Sequence, residues 1–352
     1  MRKDPDMGTD SEPADLERTA ALIESFFERG WTDGLPVVPP CRSTVEAMLQ
    51  AGGLKPSDTA GEIQTRNIRI TADKVAINAV MAGCLPSYMP VILSAVKGLC
   101  NPEFGYHGFA TSTGGASVAI IINGPMTQEL GINCADNAFG PGFRANLTIG
   151  RAIRLLMMNA INTRPGKLDR STLGSPAKIA LCFAENERLS PWPPLHVERG
   201  FAAELSTTTL FACESIIQIY NQLSSRPEAL LLGMADAMAN MGSMNIIGQP
   251  QMVVVFAGEH TEIFRKCNWT KEAVREFLFE QARRSVADLK QAGRLPGEIT
   301  PDDAAAFRHP VQDPKDIIVV CAGGNAGSFS AILTGWGSIK ATRSVTTPII
   351  VP

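Results

Sequence analysis

Three short apolar runs constrain this chain most: Ser117 to Asn123 (Ser-Val-Ala-Ile-Ile-Ile-Asn), Met252 to Phe256 and Asp316 to Cys321. A run this short, with apolar residues on both faces, suits a strand covered on both sides in the middle of a sheet. Stretches of helical periodicity separate the runs. They fall at 16–29 (stopped by Gly30), 71–82, 87–99, 145–160 and 271–289, the last capped by Thr270. Ser43 followed by Glu46 predicts a capping box opening a helix to about residue 49. A further short strand is expected at 178–183, and 206–241 is expected to be mainly helical. Strands alternating with helices make this an α/β chain.

One plan occurs twice: strand 117–123 then helix 145–160, and strand 252–256 then helix 271–289. Residue identity between the two is low, so order and spacing carry the comparison. They predict two related α/β lobes, 16–205 and 206–352, behind a loose tail at 1–15. The functional site is then expected at the lobe interface, where loops at the strand ends meet.

Composition narrows the classes of function. At 352 residues the chain can bury a large core without staples. Its net charge is −3 with no Lys/Arg cluster, so nucleic-acid binding loses its electrostatic footing. The most apolar region, Val75 to Leu99, is interrupted by Asn78, Pro86 and Pro90, so no membrane span is expected. The polar start predicts no secretory signal. Eight cysteines stand at 41, 84, 100, 134, 182, 213, 267 and 321, without a Cys-x-x-Cys pair. That spacing argues against a zinc module or a disulfide scaffold and places the chain in the reducing cytoplasm.

The densest cluster of chemical groups runs from Cys182 to Gly200. Glu185, Asn186 and Glu187 lie just past a strand end; Trp192, His196, Glu198 and Arg199 follow on a proline-stiffened loop. His196 with Glu185 or Glu198 could transfer protons, Arg199 could clamp a charge, and Trp192 could wall the site. The alternative is a salt-bridged surface loop around a packed Trp.

A second cluster, Gly140-Pro-Gly142-Phe-Arg144-Ala-Asn146, opens a helix. Free backbone N–H groups at Gly142, with Arg144 and Asn146, could hold an anion. Ordinary helix capping, with Gly150 allowing close packing, is the other reading. The third is Ala322-Gly-Gly-Asn325-Ala-Gly327, where Asn325 either binds substrate or merely sits in a turn.

Cys84, between two helices, is either a nucleophile activated by a helix dipole or a small core filler. Cys134, in a polar loop, is a lesser candidate. His107, His196, His260 and Glu259 could form a metal site, but no ligand spacing supports one, and no motif requires a cofactor. Asp33 either caps a turn or projects into the cleft. His309, before a proline, is expected to be exposed.

Four segments together resemble a bacterial family associated with UGSC-type (seleno)proteins: Trp31-Thr-Asp-Gly-Leu-Pro-Val-Val-Pro-Pro40, Asn78-Ala-Val-Met-Ala-Gly-Cys84-Leu-Pro, the Gly-Pro-Gly/Arg-Ala-Asn helix start, and Ala184-Glu-Asn-Glu to His196-Val-Glu-Arg-Gly200. The resemblance covers most of the chain and implies thiol or selenol redox chemistry. The chain has no Cys-Gly-Ser-Cys motif, so a separate redox partner protein would have to supply the redox centre. Cys41 stands where the pattern leads one to expect Thr.

Three functions follow as expectations. The first is an enzyme of hydrolase or lyase type acting on a small anionic organic molecule. Arg144 and Asn146 would hold the anion, His196 with Glu185 or Glu198 would move the proton, and Cys84 would be the nucleophile. The second is a thiol-linked reductase subunit. The third is a non-catalytic small-molecule binding or assembly protein, with homo-oligomerisation left open.

Overall fold

Side chains along the predicted strands alternate between cores. In the run 117–123, Ala119 and Ile121 enter one core, and Ile120 and Ile122 enter another. The run 252–256 divides the same way, Val253 and Val255 on one side and Val254 and Phe256 on the other. Strands apolar on both faces are therefore covered on both faces.

The computed structural model describes residues 13–352; residues 1–12 lie outside it. Its helices are α1 (Pro13–Glu28), α2 (Arg42–Ala51), α3 (Ala72–Ala82), α4 (Met89–Cys100), α5 (Tyr106–Thr111), α6 (Met126–Glu129), α7 (Arg144–Asn159), α8 (Leu195–Glu198), α9 (Pro227–Met238), α10 (Asn245–Gly248), α11 (Gly258–Cys267), α12 (Lys271–Gln281) and α13 (Val286–Gln291). Its strands are β1 (Thr59–Ile63), β2 (Ile68–Thr71), β3 (Ser117–Asn123), β4 (Cys182–Ala184), β5 (Thr207–Tyr220), β6 (Met252–Phe256), β7 (Arg284–Ser285), β8 (Phe307–Arg308), β9 (Ile317–Cys321), β10 (Phe329–Gly335) and β11 (Val345–Pro348).

Seven strands make one mixed sheet in the order β4-β3-β5-β10-β6-β9, with β11 also on β5. The order reads alike from either edge. A parallel pair (β4–β3, β9–β6) is followed on each side by an antiparallel strand, and these two strands, β5 and β10, pair with each other. β5 is the spine. Its first half pairs with β3 and β11, and its second half with β10.

The sheet curls until its edges approach. The N–H of Asn186, past β4, donates to the Cys321 carbonyl of β9 at 2.6 Å. The loop at 133–134 lies between, accepting from Ala184 N at 3.2 Å and Gly323 N at 2.9 Å. Inside the curl, Ile121, Phe183, Phe211, Val253, Val320 and Leu333 pack together. Outside it, α3, α4 and α7 cover one half and α9, α11 and α12 the other.

Several expectations need correction. Residues 206–241 are not mainly helical: β5 takes 207–220, and only α9 is a long helix. The Thr-rich start and the Ile216-Ile217-Gln218-Ile219 run are β-branched, which crowds a helix but packs well on a pleated surface. The strand expected at 178–183 is confined to 182–184. The capping box at Ser43 does not form. Cys41 is the N-cap of α2, and the Ser43 hydroxyl turns to its Sγ at 3.3 Å. Helix 271–289 breaks after Gln281, where β7 pairs with β8. Thr270 does cap α12, accepting from Ala273 N.

Of the tail, Pro13 to Asp15 already belong to α1. One sheet runs through both 16–205 and 206–352, so two separate lobes are not seen. No helix among the described residues is long and apolar enough to cross a membrane.

Candidate functional site

The carboxyl ends of β3 and β4 bring four polar side chains together. Asn123 closes β3, and Glu185 follows β4 directly; because the strands are parallel and adjacent, the two residues meet. Asn123 Nδ2 donates to Glu185 Oε2 at 2.6 Å and to Glu187 Oε1 at 3.0 Å. Glu187 Oε1 also accepts from Gly124 N at 2.8 Å, and Glu185 Oε2 accepts from Leu195 N at 2.8 Å. That second bond fixes the start of α8, which carries His196. His196 Nδ1 stands 3.7 Å from Glu187 Oε1, while its Nε2 faces the Ala203 carbonyl at 3.4 Å.

This cluster is deep and incompletely bonded. Asn123 and His196 are 0% exposed and Glu185 is 2% exposed. Yet Asn123 Oδ1, Glu185 Oε1 and His196 Nδ1 have no hydrogen-bond partner among the described residues. Buried polar groups left unpaired cost about 1–3 kcal/mol each, so three this close together make the cluster a candidate site. Burial pushes the Glu185 carboxyl above the usual carboxylate range, against the Lys271 charge and the donors on Leu195 and Asn123. Glu187 is the outward member, its side chain 28% exposed. In front lies a hollow of about 720 Å³ whose lining includes Gly124, Cys134, Phe143, Glu185, Glu187 and Arg188.

The other sequence candidates go elsewhere. Glu198 turns away from His196 to an ion cluster with Lys271 Nζ, at 2.8 Å, and Arg275, which together hold its carboxyl low. It lines a separate hollow of about 600 Å³ with Trp192 and Trp269. Arg199 donates to Thr346 and Ser344 hydroxyls at 2.7 and 2.6 Å, tying α8 to β11; burial lowers it to about 10.

Asn146 is 2% exposed, with its oxygen accepting from Asn133 N and its nitrogen donating to the Asn133 and Cys182 carbonyls. It has nothing left for a substrate. Arg144 is committed through two N–H groups to the Gly83 carbonyl at the end of α3. Gly142 is exposed at positive φ in the turn before α7. Cys84 is buried and donates to the Thr148 carbonyl at 3.2 Å; burial pushes its thiol up to about 12. A thiol so high stays protonated near neutrality and is a poor nucleophile.

Asp33 receives Arg151 through both carboxylate oxygens, at 2.8 and 2.7 Å, and bolts the 31–40 loop to α7. His260 is satisfied at both ring nitrogens, by Ser330 Oγ at 2.7 Å and the Asn221 carbonyl at 2.9 Å. Glu259 holds Gly327 N and the Ser328 hydroxyl. No group of three metal-ligating side chains forms among the described residues, so His107, His196, His260 and Glu259 do not converge. His309 is not simply exposed: it stacks on Phe279 at 4.3 Å.

Cys84, Arg144, His196 and Asn325 therefore do not share a hollow. Asn325 is exposed on the 322–327 turn, whose neighbours line a third hollow with the 136–140 segment. Sequence reasoning passed over Asn123 and gave Glu187 no role. The available signal was a polar residue closing a wholly apolar strand before Gly-Pro, and a second Glu two residues after Glu185.

No protein-family model, curated protein or solved structure matches the chain.

Proposed function

We propose that the chain is an enzyme whose proton-transfer site is the Asn123–Glu185–Glu187–His196 cluster. One observation carries this reading: three buried polar atoms without partners among the described residues, two on the bonded Asn123–Glu185–Glu187 network and one on the adjacent His196, behind a hollow open to small molecules. Glu187 is the group facing the hollow. Its carboxylate, pinned by Gly124 N–H and Asn123, takes a proton from the substrate. His196 Nε2 faces the Ala203 carbonyl, which leaves Nδ1 on the side of Glu187. Burial raises the Glu185 carboxyl, which favours its neutral form beside Glu187.

A buried carboxyl with a raised pKa beside an outward-facing one fits the acid–base step shared by lyases and hydrolases. Charge around the hollow is acidic on balance, Glu129 and Glu187 against Arg188. A neutral or cationic small molecule suits it better than an anion, and Arg144 and Asn146 are both committed elsewhere.

The test is metabolite profiling. A cell extract incubated with the wild-type protein should show conversion of at least one small metabolite, slowed 10²- to 10⁴-fold by Glu187→Gln and by His196→Asn. Conversion unaffected by either change, in variants with unaltered melting, would refute the site. Absence of any conversion would favour the binding-protein reading.

A further inference from the structure

The loop at 131–137 contributes to two hollows. One is the acid–base hollow; the other, of about 440 Å³, opens at the carboxyl ends of the second parallel pair, β6 and β9. No residue of the Asn123–Glu185–Glu187–His196 cluster lines it. Its floor is apolar, formed by the inward faces of β6 and β10 at Val255 and Ala331. On this stretch of the concave face the sheet is uncovered: Ile216 is 37% exposed and Phe329 41%. The ring of Phe139 lines the other side, held edge-on against Phe183 at 4.8 Å.

Among the described residues, Asp136 is the only charged one lining this hollow. Its side chain lies over the 322–327 turn, close enough that a Cβ on Gly324 would fall 1.7 Å from Asp136 Oδ1. The side chain has no hydrogen bond or ion pair among the described residues; only its backbone carbonyl is taken, by Asn133 Nδ2. A carboxylate at the rim of a cup lined by two phenyl rings, with Gln218 and Ser330 as further polar groups, is an arrangement that recognises an organic cation. The charge meets the carboxylate, and the rings favour a cation or flat body against their faces.

We infer that this hollow is a second ligand site, taking a small organic cation, an amidinium or ammonium on a flat apolar body. Asp136 binds the charged end, and Phe139, Ile216 and Phe329 enclose the rest. The site is independent of the proton-transfer cluster, since the two hollows share only the 131–137 loop.

Isothermal titration with benzamidine tests it, with benzyl alcohol as the uncharged control. Saturable benzamidine binding is expected, weakened at least 10-fold by Asp136→Asn and at least 10-fold by Ile216→Trp, which fills the cup. Both positions are exposed, so the fold tolerates these changes. Benzyl alcohol should bind at least 10-fold more weakly, and Glu187→Gln should leave benzamidine binding within 2-fold. Four results would overturn the assignment: no saturable binding, binding unchanged in both cup variants, equal binding of the alcohol, or loss of binding in Glu187→Gln.

Discussion

Glu185 is where physical chemistry makes its sharpest demand at the residue scale. Its folded pKa is raised by burial, so the folded state holds a proton that the unfolded chain releases at the ordinary carboxylate value. Stability from this group is fully present below about pH 4.5 and is lost as pH rises toward and through the raised value. Glu185→Gln copies the protonated form: its oxygen can still accept from Asn123 and Leu195, and its amide replaces the hydroxyl. The variant should match the wild type in thermal melting at pH 4 to 5 and become progressively more stable than it toward pH 8. A constant difference across that range would mean the carboxyl is not held neutral.

Thiols divide just as clearly. Cys41 is fully exposed, and hydrogen bonds from Ser43 and Thr44 lower it to about 7, whereas burial raises Cys84 to about 12. Iodoacetamide at pH 7 should label Cys41 first, with a rate that is half-maximal near pH 7, and leave Cys84 untouched until unfolding. Cys84→Ala should keep full activity, against the expectation that it is the nucleophile. The sequence could place both thiols at helix ends. It could not show that Cys84 turns inward to Thr148 while Cys41, at the N-cap position of α2, sets its thiol against the Ser43 and Thr44 hydroxyls.

Among the elements, α7 does most to fix the surroundings of the site. It anchors the proline-rich 31–40 loop through Arg151 and Asp33, whose side chain is only 3% exposed. Breaking a buried pair by removing one partner costs about 3–5 kcal/mol, because the other charge is left uncompensated. Asp33→Asn and Arg151→Met should each lower stability by about that much in urea unfolding. The double variant should lose less than the sum of the two. Equal additive losses would show that the pair is not coupled.

Elements whose signal was local were legible: β3, β6, β9 and α3 lie within a residue or so of their predicted bounds. β5 was missed because its 14 residues mix apolar, Thr and charged positions as it changes partners midway, so neither face shows a steady pattern. The site was legible as a segment, Glu185 to His196, but not as a set. Proximity of Asn123 to Glu185 is set by the parallel pairing of β3 and β4, and the departure of Glu198 and Arg199 by contacts with α12 and β11. Those are long-range facts that spacing does not contain.

At the scale of the whole molecule, the continuous sheet decides how the protein unfolds. β5 is shared between the two halves and both parallel pairs meet at the 133–134 loop, so neither half can open without exposing strand edges and the inner core. Calorimetry should give one transition with equal van't Hoff and calorimetric enthalpies. Two resolved transitions would restore separate lobes at 16–205 and 206–352.

The same curl sets the unpaired atoms of Asn123, Glu185 and His196 behind one hollow, and their occupancy is the central point. Crystals soaked with small hydroxyl- and amine-bearing fragments test it directly. Density is predicted in the hollow against Glu187, with an ordered occupant within hydrogen-bond reach of at least two of the three unpaired atoms. A cluster that closes on itself, His196 Nδ1 bonded to Glu187 and the three atoms satisfied internally, with every fragment excluded, would contradict it.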